Sequence, residues 1–305
     1  MINMRTLRRN VRRDWELKIF SVPLVIYFLV FHYWPMYGVL IAFKNFSPNK
    51  GILGSAWAGS KYFMQVFNSP YLFRLMRNTF LLGFYGLLWG FPIPILFALM
   101  LNEVKCLRYK KVVQTVSYLP YFISTVIIVG LMFNFFSPNS GVINTMRTRL
   151  TGQPPINFMG EASWFRTLYI GSGIWQTTGW DSIIYLAALS GIDMELYDSA
   201  KVDGCNRFQS IWHITLPGIR NTMMILFILR VGSIMSVGFE KIILMYSPST
   251  YEVADVVSTY TYRKGILDAK YSFGAAFGLV NSVINIVFLF SANAISRKLA
   301  ETSLW

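Results

Sequence analysis

Six stretches of this 305-residue chain each run for about twenty residues or more with few charges: 19–43, 78–101, 112–136, 167–190, 219–239 and 273–296. A backbone inside lipid must satisfy its own N–H and C=O groups, and about 20 apolar residues of α-helix cover the hydrocarbon core. The pattern predicts an all-α membrane protein with six transmembrane helices. Composition agrees, because 54% hydrophobic, 17% aromatic and 14% charged is too apolar for a soluble domain of this length. The first stretch is longer than a signal-peptide core and lacks a small-residue cleavage site, which predicts an uncleaved first span.

The formal charge of +14 invites a nucleic-acid reading, but the cations sit in the gaps between apolar stretches, where they act as topology signals. Arg5, Arg8, Arg9, Arg12, Arg13 and Lys18 precede the first span. With the N-terminus in the cytosol, the inner pieces 1–18, 102–111, 191–220 and 297–305 hold 15 Lys/Arg in 67 residues. The outer pieces 44–77, 137–166 and 240–272 hold 12 in 97. Both termini are thus expected in the cytosol. Cys106 and Cys205 fall in inner loops, so reduced thiols are expected. The outer loops, rich in Pro, Gly, Asn and aromatics, predict a partly ordered cap with short interfacial helices. Trp57, Tyr62, Phe63, Phe67, Tyr71 and Phe73 fit either a headgroup-level aromatic belt or a contact for an external partner.

The spans contain breakers: Pro23 and Pro35 in the first, Pro92 and Pro94 in the second, Pro120 in the third, and Gly171, Gly173, Gly179 and Gly191 in or just after the fourth. Neighbouring helices can repair the backbone groups that such residues free. There is no phosphate-binding Gly-x-x-x-x-Gly-Lys-Ser/Thr loop, no His/Cys set with metal spacing and no Gly-x-Ser-x-Gly elbow. The chain is expected to hold no cofactor and no metal, and to be no enzyme.

Two charges lie inside spans, Asp181 in the fourth and Arg230 in the fifth. Charge in hydrocarbon is costly and faces a partner or a cavity. The two residues therefore form a structural pair or line a translocation path. Trp175, Gln176, Trp180, Tyr185, Ser233, Ser236, Asn134, Asn281 and Asn285 add amides, hydroxyls and aromatic faces. Such groups suit a sugar, whose hydroxyls need hydrogen bonds and whose C–H faces stack on rings, and they also serve to join helices.

A polar island, Glu195–Pro217, separates the fourth and fifth spans. Asp193 is placed to cap a helix starting at Met194, with Glu195 in its first turn. Leu196, Ala200, Gly204 and Phe208 recur at i+4 and define one face, where Ala200 and Gly204 leave room for another backbone. A plain surface helix and a docking element both fit this spacing.

The segment Asp198-Ser199-Ala200, then Gly204, then Ile214-Thr215-Leu216-Pro217 resembles the Glu-Ala-Ala loop of permease subunits of binding-protein-dependent ATP-binding-cassette (ABC) importers. Asp198 replaces the Glu, Ser199 the first Ala, and Cys205 the Ala that often follows the Gly. Phe31-His-Tyr-Trp-Pro-Met-Tyr-Gly38, Gln114-Thr-Val-Ser-Tyr-Leu-Pro120 and Ile184-Tyr-Leu-Ala-Ala188 are similar to a sugar-permease branch that includes importers of alginate and rhamnogalacturonan oligosaccharides. The resemblance implies a type I importer (MetI-like) permease core of five helices in 78–305, with a cytosolic coupling helix in the loop 191–220. Residues 1–77 would form the N-terminal tail, first span and outer loop. It implies a second homologous permease, two ATPase subunits that bind ATP and Mg, an extracytoplasmic solute-binding protein, and a place in the bacterial inner membrane. It also implies an oligosaccharide substrate, acidic and uronate-containing or neutral. Leu196–Phe208 would be the coupling helix, with Ala200 and Gly204 at the close contact and Asp198, Lys201 and Asp203 as polar contacts. Pro217 would end the loop. The alternative is a self-sufficient ion-coupled secondary sugar transporter, for which Asp181 is the interior carboxylate to nominate.

Overall fold

The computed structural model describes residues 15–300. Arg5, Arg8, Arg9, Arg12 and Arg13 lie outside the described residues, as do the side chains of Lys18 and Lys298. The chain forms two compact units: one runs to Asn68 and adds Lys264–Leu279, and the other takes Ser69–Arg263 and the residues from Val280 onward.

In the first unit, α1 (Trp15–Phe28) continues through a π turn at Leu29–Tyr33, a helical turn at Trp34–Met36 and a 3₁₀ stretch at Tyr37–Phe43. Pro23 and Pro35 stay within this helical path. The π turn falls just before Pro35, whose ring removes an N–H and crowds the preceding turn. A two-residue hairpin follows, β1 (Lys44–Asn45) pairing antiparallel with β2 (Ala56–Trp57). Ser272 Oγ ties it down, donating to the Lys44 carbonyl (2.6 Å) and accepting from the Phe46 N–H (3.0 Å).

The second unit carries α2 (Leu72–Gly90), α3 (Pro92–Asn102), α4 (Leu107–Tyr118), α5 (Thr125–Phe135) and α6 (Ala162–Ser190). Next come α7 (Met194–Val202), α8 (Arg207–Ser210), α9 (Arg220–Gly232) and α10 (Phe239–Met245). The last helix, α11 (Tyr271–Ala300), begins among the residues of the first unit and ends among those of the second. Among the described residues, 19–43, 72–102 and 271–297 form three helices long and apolar enough to cross a membrane, and two bent pairs would raise the number to five.

Two expected spans are corrected. The stretch 112–136 is not one helix: a 3₁₀ turn at Leu119–Phe122 and two extended residues, Ile123 and Ser124, turn the axis by 97°. Pro120 starts that turn, and the Ser124 hydroxyl caps α5 by accepting from the Ile127 N–H. The stretch 219–239 is helical only to Gly232, after which Ser233–Gly238 run irregularly.

Helix α6 is the spine of the second unit. Its 29 residues rise about 43 Å at 1.5 Å each. Phe165 and Leu168, near its start, pack with Leu82, Ile128, Met132, Ile242 and Met245. Tyr185 and Leu189, near its end, pack with Ile95, Ala98, Leu99 and Ile219. Between these two apolar clusters lies the small and polar middle of the helix, Gly171 to Asp181. Gly179 lets α4 cross there, since a Cβ at that position would collide with the Ser117 carbonyl.

Candidate functional site

A broken helix leaves backbone donors and acceptors without partners, and leaving one buried costs about 1–3 kcal/mol. At both irregular stretches, side chains nominated from the sequence perform the repair. Gln176 Nε2 donates to the Ile123 carbonyl (3.1 Å) at the break between α4 and α5. Trp180 lies flat on Tyr121 there, with ring centroids 4.5 Å apart, and meets Phe122 edge-on. At the break after α9, Asn285 accepts from the Met235 N–H (3.0 Å) and donates to Ser236 Oγ (2.9 Å), while Asn281 donates to the Met235 carbonyl (3.2 Å). Tyr169 of α6 accepts the Gly238 N–H on its hydroxyl (3.0 Å). The Ile234 carbonyl rests against α2 where Gly83 offers no side chain, and a Cβ there would overlap it.

This irregular stretch walls a cavity of about 310 Å³. Leu82, Gly83, Gly86 and Leu87 of α2 line it, with Tyr169, Arg230, Ser233, Ile234 and Ser236–Gly238. Arg230 stands in the last turn of α9. Its guanidinium pairs with Asp181 (2.6 Å) and reaches the Gly90 carbonyl (3.4 Å), so the two intramembrane charges are paired and Arg230 still borders open space. Ser233 lines the cavity too, its hydroxyl donating back to the Leu229 and Arg230 carbonyls.

The other nominated residues lie elsewhere. Trp175 lines a separate apolar cavity of about 460 Å³ between α5 and α6. Tyr185 is buried in the apolar cluster near the end of α6. Asn134 is exposed in the last turn of α5 and lines neither cavity. Sequence reasoning missed Gly83, Gly86 and Tyr169. The available signal was the run Gly83, Gly86, Gly90, small residues at helical spacing inside a span, which mark close approach.

It also missed a buried ionic cluster. The fully buried Asp255 accepts from Thr259 Oγ1 (2.8 Å) and pairs with Arg263 (2.6 Å) and, more loosely, Arg74 (3.9 Å). Arg263 lies over the Tyr251 ring at 4.7 Å. Burial alone would lower the Arg263 guanidinium, but the Asp255 carboxylate and the Tyr246 hydroxyl reverse this and raise it. Asn78, which bonds the Glu252 and Asp255 carbonyls, joins this cluster to α2.

In the polar island, Asp193 caps α7 as expected, accepting from the Glu195 N–H (3.0 Å). The single helical face from Leu196 to Phe208 is corrected: α7 ends at Val202. Gly204 takes φ +79°, with Cys205 N–H donating to the Ala200 carbonyl (2.9 Å) and Gly204 N–H to that of Lys201 (3.1 Å). That pair of bonds is the Schellman stop, which needs a left-handed residue. Phe208 belongs to α8, capped separately by an Asn206–Gln209 box. Ala200 is buried in its own chain, whereas Leu196 and Phe208 are exposed. Asp198 and Lys201 pair with one another (2.7 Å), and the Ser199 hydroxyl donates to the Leu196 carbonyl. Pro217 sits in the turn Leu216–Gly218, and the axis bends by 62° between the helical stretch Arg207–Gly218 and α9.

A helical membrane bundle with broken helices beside a cavity of mixed polar and apolar lining is the architecture of a permease. The chain belongs to the family described as binding-protein-dependent transport system inner membrane component, whose model matches residues 90–301. It is 45% identical to protein LplB of Bacillus subtilis (strain 168) over 97% of this chain and 92% of that one. It is 40% identical to the polygalacturonan/rhamnogalacturonan transport system permease protein YteP of the same organism, over 95% and 90%. It also matches the crystal structure of a bacterial ABC transporter involved in the import of the acidic polysaccharide alginate, with TM-score 0.88 and 45% identity over 97% of this chain and 99% of the other. The protein is thus an inner-membrane permease subunit of an ABC importer, a transport subunit and not an enzyme.

Proposed function

We propose that this permease carries an oligosaccharide through the cavity beside α9, driven by ATPase subunits that dock on the polar island. The carrying observation is the cavity itself, a space of mixed polar and apolar lining walled by an irregular segment whose backbone is mended from α6 and α11. In a membrane, irregular backbone is tolerated where it is buried in protein or lines a cavity. Relatives named for polygalacturonan, rhamnogalacturonan and alginate support an acidic sugar as substrate. An alginate importer has been solved with its pentasaccharide-bound periplasmic protein, which supports delivery by such a protein here.

The chain would cross the membrane six times with both termini in the cytosol, α6 counting as a span on length although its middle is polar. Residues 78–305 would form the permease core, and 1–77 an added span and outer loop. A second permease would complete the path. Leu196, Asp198, Ser199, Lys201, Asp203 and Phe208 would meet an ATPase, which binds ATP and Mg. Gly204 and Ala200 would shape the loop from within. Because Asp181 is paired with Arg230, it supplies no free carboxylate for ion coupling, which disfavours the secondary-transporter alternative. Gentle purification of the tagged chain from its host tests the assembly. A second six-span permease and a P-loop ATPase should come with it, whereas a lone chain that moves sugar without ATP would overturn the proposal.

A further inference from the structure

Lys241 lies just behind the cavity lining, packed on Tyr169, and stability does not explain it. It is the third residue of α10, and it is buried. Its Nζ donates to the Tyr169 carbonyl (3.0 Å) and stands 5.1 Å from the centroid of the Tyr169 ring. Among the described residues, no carboxylate lies within ion-pair distance of it, and Glu240 beside it is exposed. Lysine is almost never fully buried unless paired, and an unpaired buried cation is costly. Burial accordingly pulls the Lys241 ammonium down to about 8. Space is left for the head group, because Gly173, one helical turn beyond Tyr169 on α6, has no side chain and its Cβ position is 3.5 Å from Nζ.

Two neighbours of this cation border the cavity. Tyr169, on which it rests, and Gly238, which precedes its helix, both line the cavity. Further along α6 come Gln176, Trp180 and Asp181. Arg230 sits there with its charge already matched by Asp181, so it has less to offer an anion. Of Arg230 and Lys241, Lys241 has no anionic partner among the described residues. Its four-carbon stem is long enough to re-aim the ammonium by rotamer change.

We propose that Lys241 is a specificity-determining residue of the transport path, a cationic subsite that pairs with a carboxylate of an acidic oligosaccharide as it enters. This rests on the oligosaccharide reading above and adds the group that tells an acidic sugar from a neutral one. A carboxylate would supply the missing counter-charge, while an uncharged sugar would leave the cost of burying the ammonium in place. Discrimination thus arises within the permease, in addition to any made by the delivering protein.

The test uses the full complex with its binding protein in proteoliposomes, and trigalacturonate and its methyl ester as probes. The ester keeps the sugar skeleton and removes the charge. Wild type should take up the acid in preference to the ester. Lys241→Met should cut acid uptake at least tenfold and leave ester uptake within about twofold, and Lys241→Arg should restore most of the preference for the acid. Unchanged acid preference in Lys241→Met overturns the assignment. So does equal loss of acid and ester uptake in both variants when the complex still purifies intact, because that marks a structural lysine. Wild-type complex that takes up the ester as well as the acid overturns the acidic-sugar reading instead, and this inference falls with it.

Discussion

Gly204 is a glycine because of its backbone. At φ +79° a side chain pays for a left-handed conformation, about 1–3 kcal/mol for most residues and least for Asn. Among the described residues, apart from its two chain neighbours, nothing lies within 4 Å of where its Cβ would be, so crowding is not the reason. Gly204→Asn should therefore keep more sugar-stimulated ATPase activity than Gly204→Val, with membrane insertion of both unchanged. Equal losses would point to contact with the ATPase instead. The sequence shows why this was hard to read. A glycine four residues after Ala200 satisfies an i+4 helical face and a helix stop equally well, and only the dihedral separates them. The cap at Asp193 carried no such ambiguity, and the structure has it as expected.

Helices fail in this protein where neighbours can make good the loss. Hydropathy averages made the long helices legible, since an apolar window reports transfer into lipid. The same averages hid the break after Gly232, because Ile234, Met235 and Val237 keep the window apolar while the backbone leaves the helix. Pro120 did announce the other break, though not its 97°. The nominated amides are at the site, but in a role the sequence left open: Gln176, Asn281 and Asn285 bond backbone groups at the breaks. Gly83 is the partner the sequence concealed. Adding a methyl there forces it into the Ile234 carbonyl, and overpacking of this kind costs about 1–3 kcal/mol. Gly83→Ala should lower the thermal midpoint of the purified complex and impair uptake. Gly86→Ala, with nothing within 4 Å of the added carbon, should leave the midpoint near wild type. If the two variants melt alike, the close approach at Gly83 is not what holds the segment.

At the level of the whole molecule, the source of energy is the property to test. The Asp181–Arg230 pair leaves no interior carboxylate among those nominated free to carry a coupling proton. Uptake by whole cells should therefore persist when an ionophore collapses the proton gradient while ATP is maintained, and should stop when ATP is depleted. Collapse with the gradient alone would restore the secondary transporter. The ABC class was legible in the sequence through the spacing of one loop, whereas the partners were legible only through the resemblance that loop carries.

The repair of the α9 break also bears on how the protein is made. Synthesis runs from the N-terminus, so Met235 leaves the ribosome some fifty residues ahead of Asn285, whose amide will accept its N–H. Until then the N–H and carbonyl of Met235 lack the partners that Asn285 and Asn281 give them, and hydrocarbon offers none. The segment after α9 therefore reaches its final backbone pairing only with α11 in place. The last helix to be made is thus the clasp that closes a break opened some fifty residues earlier.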